Sequence, residues 1–224
     1  MTRPELVIFD NDGVLVDSEP IANQVLAGLL TEYGWPTTFD DAVRTYLGGT
    51  LQHVRDLVEP RLGRALPPDF EDRYHEQLFA RIGTELTAVP GVAEALDRID
   101  LPTCVASSGA HPRIERTLQQ VGLHERFAGR IFSADDVARG KPFPDLFLHA
   151  AEQCGAPPER CVVIEDSFNG VRAGRAAGMI VIGYAGVTPG DRLAEADVII
   201  ETMGELVGQL ERLGARPSRS RPTS

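Results

Sequence analysis

The sequence predicts an α/β fold: one parallel β-sheet with helices on both faces, interrupted after its first strand by an all-helical insertion. Three observations carry this. The opening run Leu6-Val7-Ile8-Phe9 is apolar throughout, as a strand buried on both faces requires. From Ile21 to Leu86 the apolar residues recur at helical spacing with no convincing strand. From Pro90 onward, short β-branched runs alternate with helical segments, the rhythm of βαβ units.

In chain order, the first strand at 6–9 leads into four helical stretches at 21–33, 39–47, 51–62 and 70–86. Strands are then expected at 103–106, 130–132, 161–164, 180–182 and 198–200, where Val, Ile, Cys and Phe cluster. Helices at 112–121, 144–153, 168–177 and 203–213 supply the crossovers and the last layer. The α/β core therefore comprises residues 1–17 and 87–213, and the insertion residues 18–86. Residues 214–224 are expected to be disordered, since Arg216 to Pro222 are polar and hold no apolar positions to pack.

A net charge of -11 argues against binding nucleic acid, which needs a basic stripe to displace counterions from phosphates. No apolar run is long enough to span a bilayer and no basic-apolar leader precedes the first strand, so a cytoplasmic protein without a membrane partner is expected. Cys104, Cys154 and Cys161 are odd in number and lack CxxC spacing, which predicts neither a disulfide nor a zinc site. The five histidines show no metal-ligand spacing. Nothing argues for assembly, and a monomer is the default.

The chemistry-bearing residues stand where core strands end. Asp10 and Asp12 follow the first strand in Phe9-Asp10-Asn11-Asp12-Gly13; Ser107-Ser108-Gly109 follow the strand at 103–106; Glu165-Asp166-Ser167 follow the one at 161–164. In open α/β sheets the carboxyl edge is where ligands bind, so these loops should meet. Lys141, in Gly140-Lys141-Pro142, is the only lysine among the chain's 22 basic residues. It brings a compact ammonium that arginine does not replace geometrically. Asp10 with Asp166 and Glu165 nearby could hold a hard divalent cation, Mg²⁺, through oxygen ligands. Ser107, the N–H groups beside it and Lys141 would take phosphoryl oxygens. One carboxylate of the first pair could then attack phosphorus while the other protonates the leaving group. The second has other carboxylates for neighbours, a setting in which a carboxyl keeps its proton.

Phe9 to Glu19, Ala106-Ser107-Ser108-Gly109, Gly140 to Asp145 and Ile164 to Gly174 resemble, in order, the four motifs of the haloacid dehalogenase-like hydrolase superfamily. The resemblance implies a Rossmann-like core, with the insertion as a four-helix cap of the kind in the β-phosphoglucomutase-like branch. It implies Asp10 as the nucleophile that forms an aspartyl-phosphate, and Asp12 as general acid and then base. Ser107 and Lys141 bind the phosphoryl group, with Ser108 and Gly109 in the same loop. Asp10, the Asp12 carbonyl and Asp166 ligate Mg²⁺, and Glu165 assists directly or through water. The dehalogenase branch lacks a second Asp at position 12 and the transport ATPases carry Thr there, which leaves a phosphatase or a phosphomutase acting on a small phosphorylated metabolite.

Cap residues separate these two. The β-phosphoglucomutases carry a cap His where this chain has Ala22, and a cap Arg for a second phosphate where it has Gln52. A neutral amide cannot supply that charge, which leaves Arg44 or Arg55 as the alternatives for it. Both departures favour a phosphatase, and Asp17-Ser18-Glu19-Pro20 with the spacing of Cys104 to Gly109 resembles bacterial sugar-phosphate phosphatases. The loop Gly48-Gly49-Thr50 breaks two cap helices, and in this branch such a loop faces the active site, which makes Gly49, Thr50 and Gln52 candidates for substrate contact.

Overall fold

Leu6–Phe9 forms the central strand, β1, because four consecutive apolar side chains fill both faces of the sheet, each 0–1% exposed. This is a computed structural model, and it describes residues 3–46 and 49–215. Two units make up the chain, the segment 17–87 and the remainder.

In the inserted unit, α1 (Glu19–Glu32), α2 (Phe39–Tyr46), α3 (Leu51–Leu62) and α4 (Phe70–Glu85) follow one another. α1 packs on α2 and α4. Its apolar stripe of Ile21, Val25, Leu26, Leu29 and Leu30 is buried, and the Tyr33 ring meets Phe70 edge-on with centroids 6.0 Å apart. Thr50 caps α3 by accepting the His53 N–H at 3.1 Å, and Gly63 ends it with a φ of 68°. Two-residue strands β2 (Val16–Asp17) and β3 (Thr87–Ala88) stand at the ends of the insertion and pair with each other.

The core resumes with α5 (Val92–Arg98), β4 (Thr103–Ser107), α6 (His111–Gln120), α7 (His124–Phe127) and β5 (Ile131–Ser133). Then come α8 (Asp145–Gln153), β6 (Cys161–Glu165), α9 (Phe168–Ala176), β7 (Ile180–Tyr184), β8 (Val198–Ile200) and α10 (Leu206–Ala215). The six long strands form one parallel sheet in the order β5-β4-β1-β6-β7-β8. Strand order reverses at β1, which pairs with β4 on one side and β6 on the other. Alternation along the strands sends Leu6, Ile8, Cys104, Ala106, Cys161 and Val163 into a core shared with Leu146 and Phe147 of α8 and Val171 of α9. On the other face Phe9 meets Phe127 of α7, ring centroids 6.2 Å apart. The three cysteines are free thiols, two of them fully buried. No helix among the described residues is long and apolar enough to cross a membrane.

The differences from expectation are local. α5 and α7 were not foreseen, nor were β2 and β3. The expected helix at 203–213 opens with a 3₁₀ turn, Met203–Glu205, before α10 begins. Gly214 and Ala215 belong to α10 and not to a tail; residues 216–224 and Gly48 lie outside the described residues.

Candidate active site

Three strand ends converge at the reversal point. Phe9 stands opposite Val105 of β4 and Ile164 of β6, and the Asp10 N–H donates to the Ile164 carbonyl at 3.0 Å. The register therefore sets Asp10 between the ends of β4, which carries Ser107, and β6, which carries Glu165. The next turn is tight: the Asn11 carbonyl accepts the N–H groups of Leu15 and Val16 at 2.9 and 3.0 Å, which fixes the backbone around Asp12.

Lys141 joins these ends. Its ammonium donates to Asp10 Oδ1 at 2.6 Å, to Glu165 Oε1 at 2.7 Å and to the carbonyl of Ala106, the residue before Ser107, at 3.0 Å. The side chain is 4% exposed and its Nζ lies 4.8 Å from the centroid of the Phe147 ring. Three acceptors around a three-donor ammonium match its valence, which explains why a lysine stands here in an arginine-rich chain. Burial pushes the Asp10 carboxyl up to about 7 even though Lys141 pulls the other way; Glu165 and Asp12 add to the rise. The paired carboxylates Asp10 and Glu165 hold the Lys141 ammonium above its ordinary range against the opposing effect of burial.

Glu165 is fully buried, with Oε1 on Lys141 and Oε2 accepting both the N–H and the hydroxyl of Ser167 at 2.8 Å. Ser167 in turn caps α9, its Oγ accepting the Gly170 N–H at 3.1 Å. The structure thus gives Glu165 an anchoring place between the ammonium and the helix cap. Asp10, Glu165 and Asp166 nonetheless each present a carboxylate oxygen within 4.8 Å of the other two. Carboxylates outnumber the ammonium in this cluster, and an oxygen-only donor set of this size fits a hard divalent cation.

Gly13 makes room for that cluster. Its φ is +78°, and a Cβ there would fall 2.1 Å from Asp166 Oδ2. Gly13→Ala is expected to cost about 2 kcal/mol from backbone strain and displacement of the carboxylate. With Asp166 as a ligand, it should also weaken the binding of a divalent cation such as Mg²⁺ by roughly tenfold or more. Thermal melts and calorimetric Mg²⁺ titration check both, and unchanged Mg²⁺ affinity would remove Asp166 from the ligand set.

The anion loop is braced from β5. Ser107 is 1% exposed and its Oγ accepts the Gly109 N–H at 3.1 Å, while Ser133 Oγ donates to the Gly109 carbonyl at 2.7 Å. His111, at the start of α6, bonds Asp136 at 2.9 Å. Ser108 is exposed beside them.

Asp12 differs from the sequence reading. Its Oδ1 accepts a hydrogen bond from Arg113 Nη2 of α6 at 2.8 Å, so its neighbours are not all carboxylates. Asn11 Nδ2 lies 3.4 Å from Asp12 Oδ2 and donates to Thr117 Oγ1 at 3.2 Å. Sequence reasoning passed over Arg113 because nothing in its local pattern separates it from the other arginines. Its place at the start of the helix that follows the serine loop was the available signal.

The remaining candidates sit in the inserted unit. Gly49 and Thr50 lead into α3, and Gln52 Nε2 donates to Asp56 Oδ1 at 2.8 Å. Within that unit Glu19, Ala22, Asn23, Tyr46, Gly49 and Tyr74 help to line a cavity of about 100 Å³. Gly49 is tightly confined there: a Cβ would lie 2.9 Å from the Tyr46 carbonyl oxygen.

A family model for haloacid dehalogenase-like hydrolases matches residues 4–178. The 6-phosphogluconate phosphatase of Escherichia coli K12 is 31% identical over 185 residues, 82% of this chain and 84% of that protein. Among solved structures, a conserved haloacid dehalogenase-like protein from Agrobacterium tumefaciens has a TM-score of 0.87 at 39% identity, over 94% of this chain and 99% of that one. A putative β-phosphoglucomutase from Thermotoga maritima has a TM-score of 0.75 at 29% identity, over 93% and 99%.

Proposed function

This chain belongs to the haloacid dehalogenase-like hydrolases, and from that premise we propose that it is a Mg²⁺-dependent phosphatase of a small sugar or sugar-acid phosphate. The observation that carries the reading is the Lys141 ammonium, which ties the nucleophile candidate Asp10 to Glu165 and to the strand end bearing Ser107. The name of the Escherichia coli relative, a 6-phosphogluconate phosphatase, supports the substrate class.

In this mechanism an Asp10 oxygen forms a bond to phosphorus as the ester P–O bond breaks, giving an aspartyl-phosphate and an alcohol. Asp12 gives its proton to the departing oxygen. Ser107, the loop N–H groups and Lys141 bind the phosphoryl oxygens. Asp12 then takes a proton from water as the water oxygen attacks phosphorus, the Asp10–phosphorus bond breaks and inorganic phosphate leaves. Asp10, the Asp12 carbonyl and Asp166 would hold the metal, which when bound would supply positive charge against the phosphoryl oxygens. In this reading the inserted unit is the cap, Gly49, Thr50 and Gln52 are its candidates for substrate contact, and the protein works as a cytoplasmic monomer.

A phosphomutase is the second reading, favoured by the likeness to the Thermotoga maritima structure. Ala22 and Gln52 weigh against it: the mutases carry a cap His and a phosphate-gripping Arg at these places, and a neutral amide cannot supply the charge of that Arg. Phosphate release from sugar phosphates, 6-phosphogluconate, glycerol phosphate and nucleotides, with Mg²⁺ and with EDTA, tests both. The expected result is release that EDTA abolishes and excess Mg²⁺ restores. Interconversion of glucose phosphates without release would make the protein a mutase, and release untouched by EDTA would remove the metal from the mechanism.

A further inference from the structure

Among the described residues only two buried side-chain polar atoms lack a hydrogen-bond partner, and both flank Asp12: Asn11 Oδ1 and Arg113 Nε. Orphaned buried polar atoms are costly and rare, and a fold carries them where geometry serves something other than stability. Arg113 and Thr117 lie four residues apart on one face of α6, and that face grips the Asp10–Asp12 loop twice. Arg113 Nη2 holds Asp12 Oδ1 at 2.8 Å, and Thr117 Oγ1 holds Asn11 Nδ2 at 3.2 Å. Thr117 spends its own proton on the Ile114 carbonyl at 2.9 Å, so its oxygen faces Asn11 as an acceptor. The same helix follows the Ser107–Gly109 loop directly. One rigid element therefore sets both the anion loop and the second carboxylate.

We propose that Arg113 is a positioning residue for Asp12, an assignment that rests on the phosphatase reading above. By holding Oδ1 at 2.8 Å, the guanidinium fixes the orientation of the Asp12 carboxyl against the Asp10 loop, while Asn11, held by Thr117 of the same helix, lies against Oδ2. Arg113 acts through Asp12 and is given no proton-transfer role of its own. An ordinary surface ion pair would be worth little, and with side chains 38% and 29% exposed this pair adds little to stability. Its work is orientation.

The test compares Arg113→Met, Arg113→Lys, Asp12→Asn and the double variant R113M/D12N in the whole protein. The substrates are an alkyl phosphate that the wild-type protein hydrolyses and p-nitrophenyl phosphate, whose leaving group departs without an acid. Arg113→Met is expected to lower kcat on the alkyl phosphate about 10- to 100-fold with KM little changed. With p-nitrophenyl phosphate the first burst of nitrophenolate should keep its rate while the steady phase slows, because water attack still needs Asp12. Arg113→Lys should recover part of the loss, and Arg113→Met should add nothing in the Asp12→Asn background. An unchanged kcat in Arg113→Met, a parallel loss of burst and alkyl turnover, or additive losses in the double variant would overturn the assignment. A wild-type protein that releases phosphate from no substrate would overturn the phosphatase reading, and the assignment with it.

Discussion

Asp10→Asn is expected to yield a folded protein whose phosphate release falls by roughly 10⁴-fold or more, the scale of losing a nucleophile that acts in concert with its partners. The amide matches the carboxylate in shape and still offers Lys141 an oxygen acceptor in place of Oδ1, now held at 2.6 Å. Asp10 is 8% exposed, and burial already pushes its carboxyl up to about 7, so the fold resists rather than needs that negative charge. A neutral side chain therefore costs little stability, and the melting temperature in EDTA should stay close to the parent's. The chemistry has no such tolerance. An amide oxygen cannot form a stable bond to phosphorus, and no phosphorylated protein should be trapped by rapid acid quench and mass spectrometry. Turnover within tenfold of the parent, in a preparation free of deamidated protein, would sink the mechanism.

How much of this was legible in the residues depends on what each feature is made of. β1 and β6 could be read because their apolar runs are buried on both faces and need no partner to be recognised. Asp10, Ser107, Lys141 and Glu165 could be expected together because three of them end parallel strands, whose carboxyl edge the topology makes common. α5 and α7, of seven and four residues, are too short to show a period and exist through packing, as Phe127 against Phe9 illustrates. The double engagement of Glu165 by Lys141 and Ser167 depends on side-chain directions that a sequence does not print. Arg113 reaches Asp12 across 101 residues of chain, and only the fold makes them neighbours.

Lys141→Met should damage both fold and activity, for one electrostatic reason. The lysine side chain is 4% exposed and Glu165 is completely buried, so its removal leaves the Glu165 carboxylate buried with no internal cation and drives the Asp10 carboxyl, already raised, further toward its neutral form. Methionine keeps the length and the contact with Phe147 while deleting the charge, which separates electrostatics from packing. Breaking one partner out of a buried ion pair costs about 3–5 kcal/mol, which for a chain of this size lowers the melting temperature by roughly 10 °C. Adding Glu165→Gln removes the stranded carboxylate, and the K141M/E165Q variant should regain part of that stability. Activity should not return: phosphoryl charge loses a preorganised donor, worth roughly 10²- to 10³-fold in kcat. Lys141→Arg should not rescue it either, since a planar fork cannot satisfy Asp10 Oδ1, Glu165 Oε1 and the Ala106 carbonyl from one nitrogen. Urea unfolding of the three variants in EDTA, beside phosphate release in Mg²⁺, measures both effects. A K141M protein as stable as its parent would mean that the carboxylates find relief elsewhere, and a K141M/E165Q protein less stable than K141M would show that Glu165 serves the α9 cap more than the ammonium.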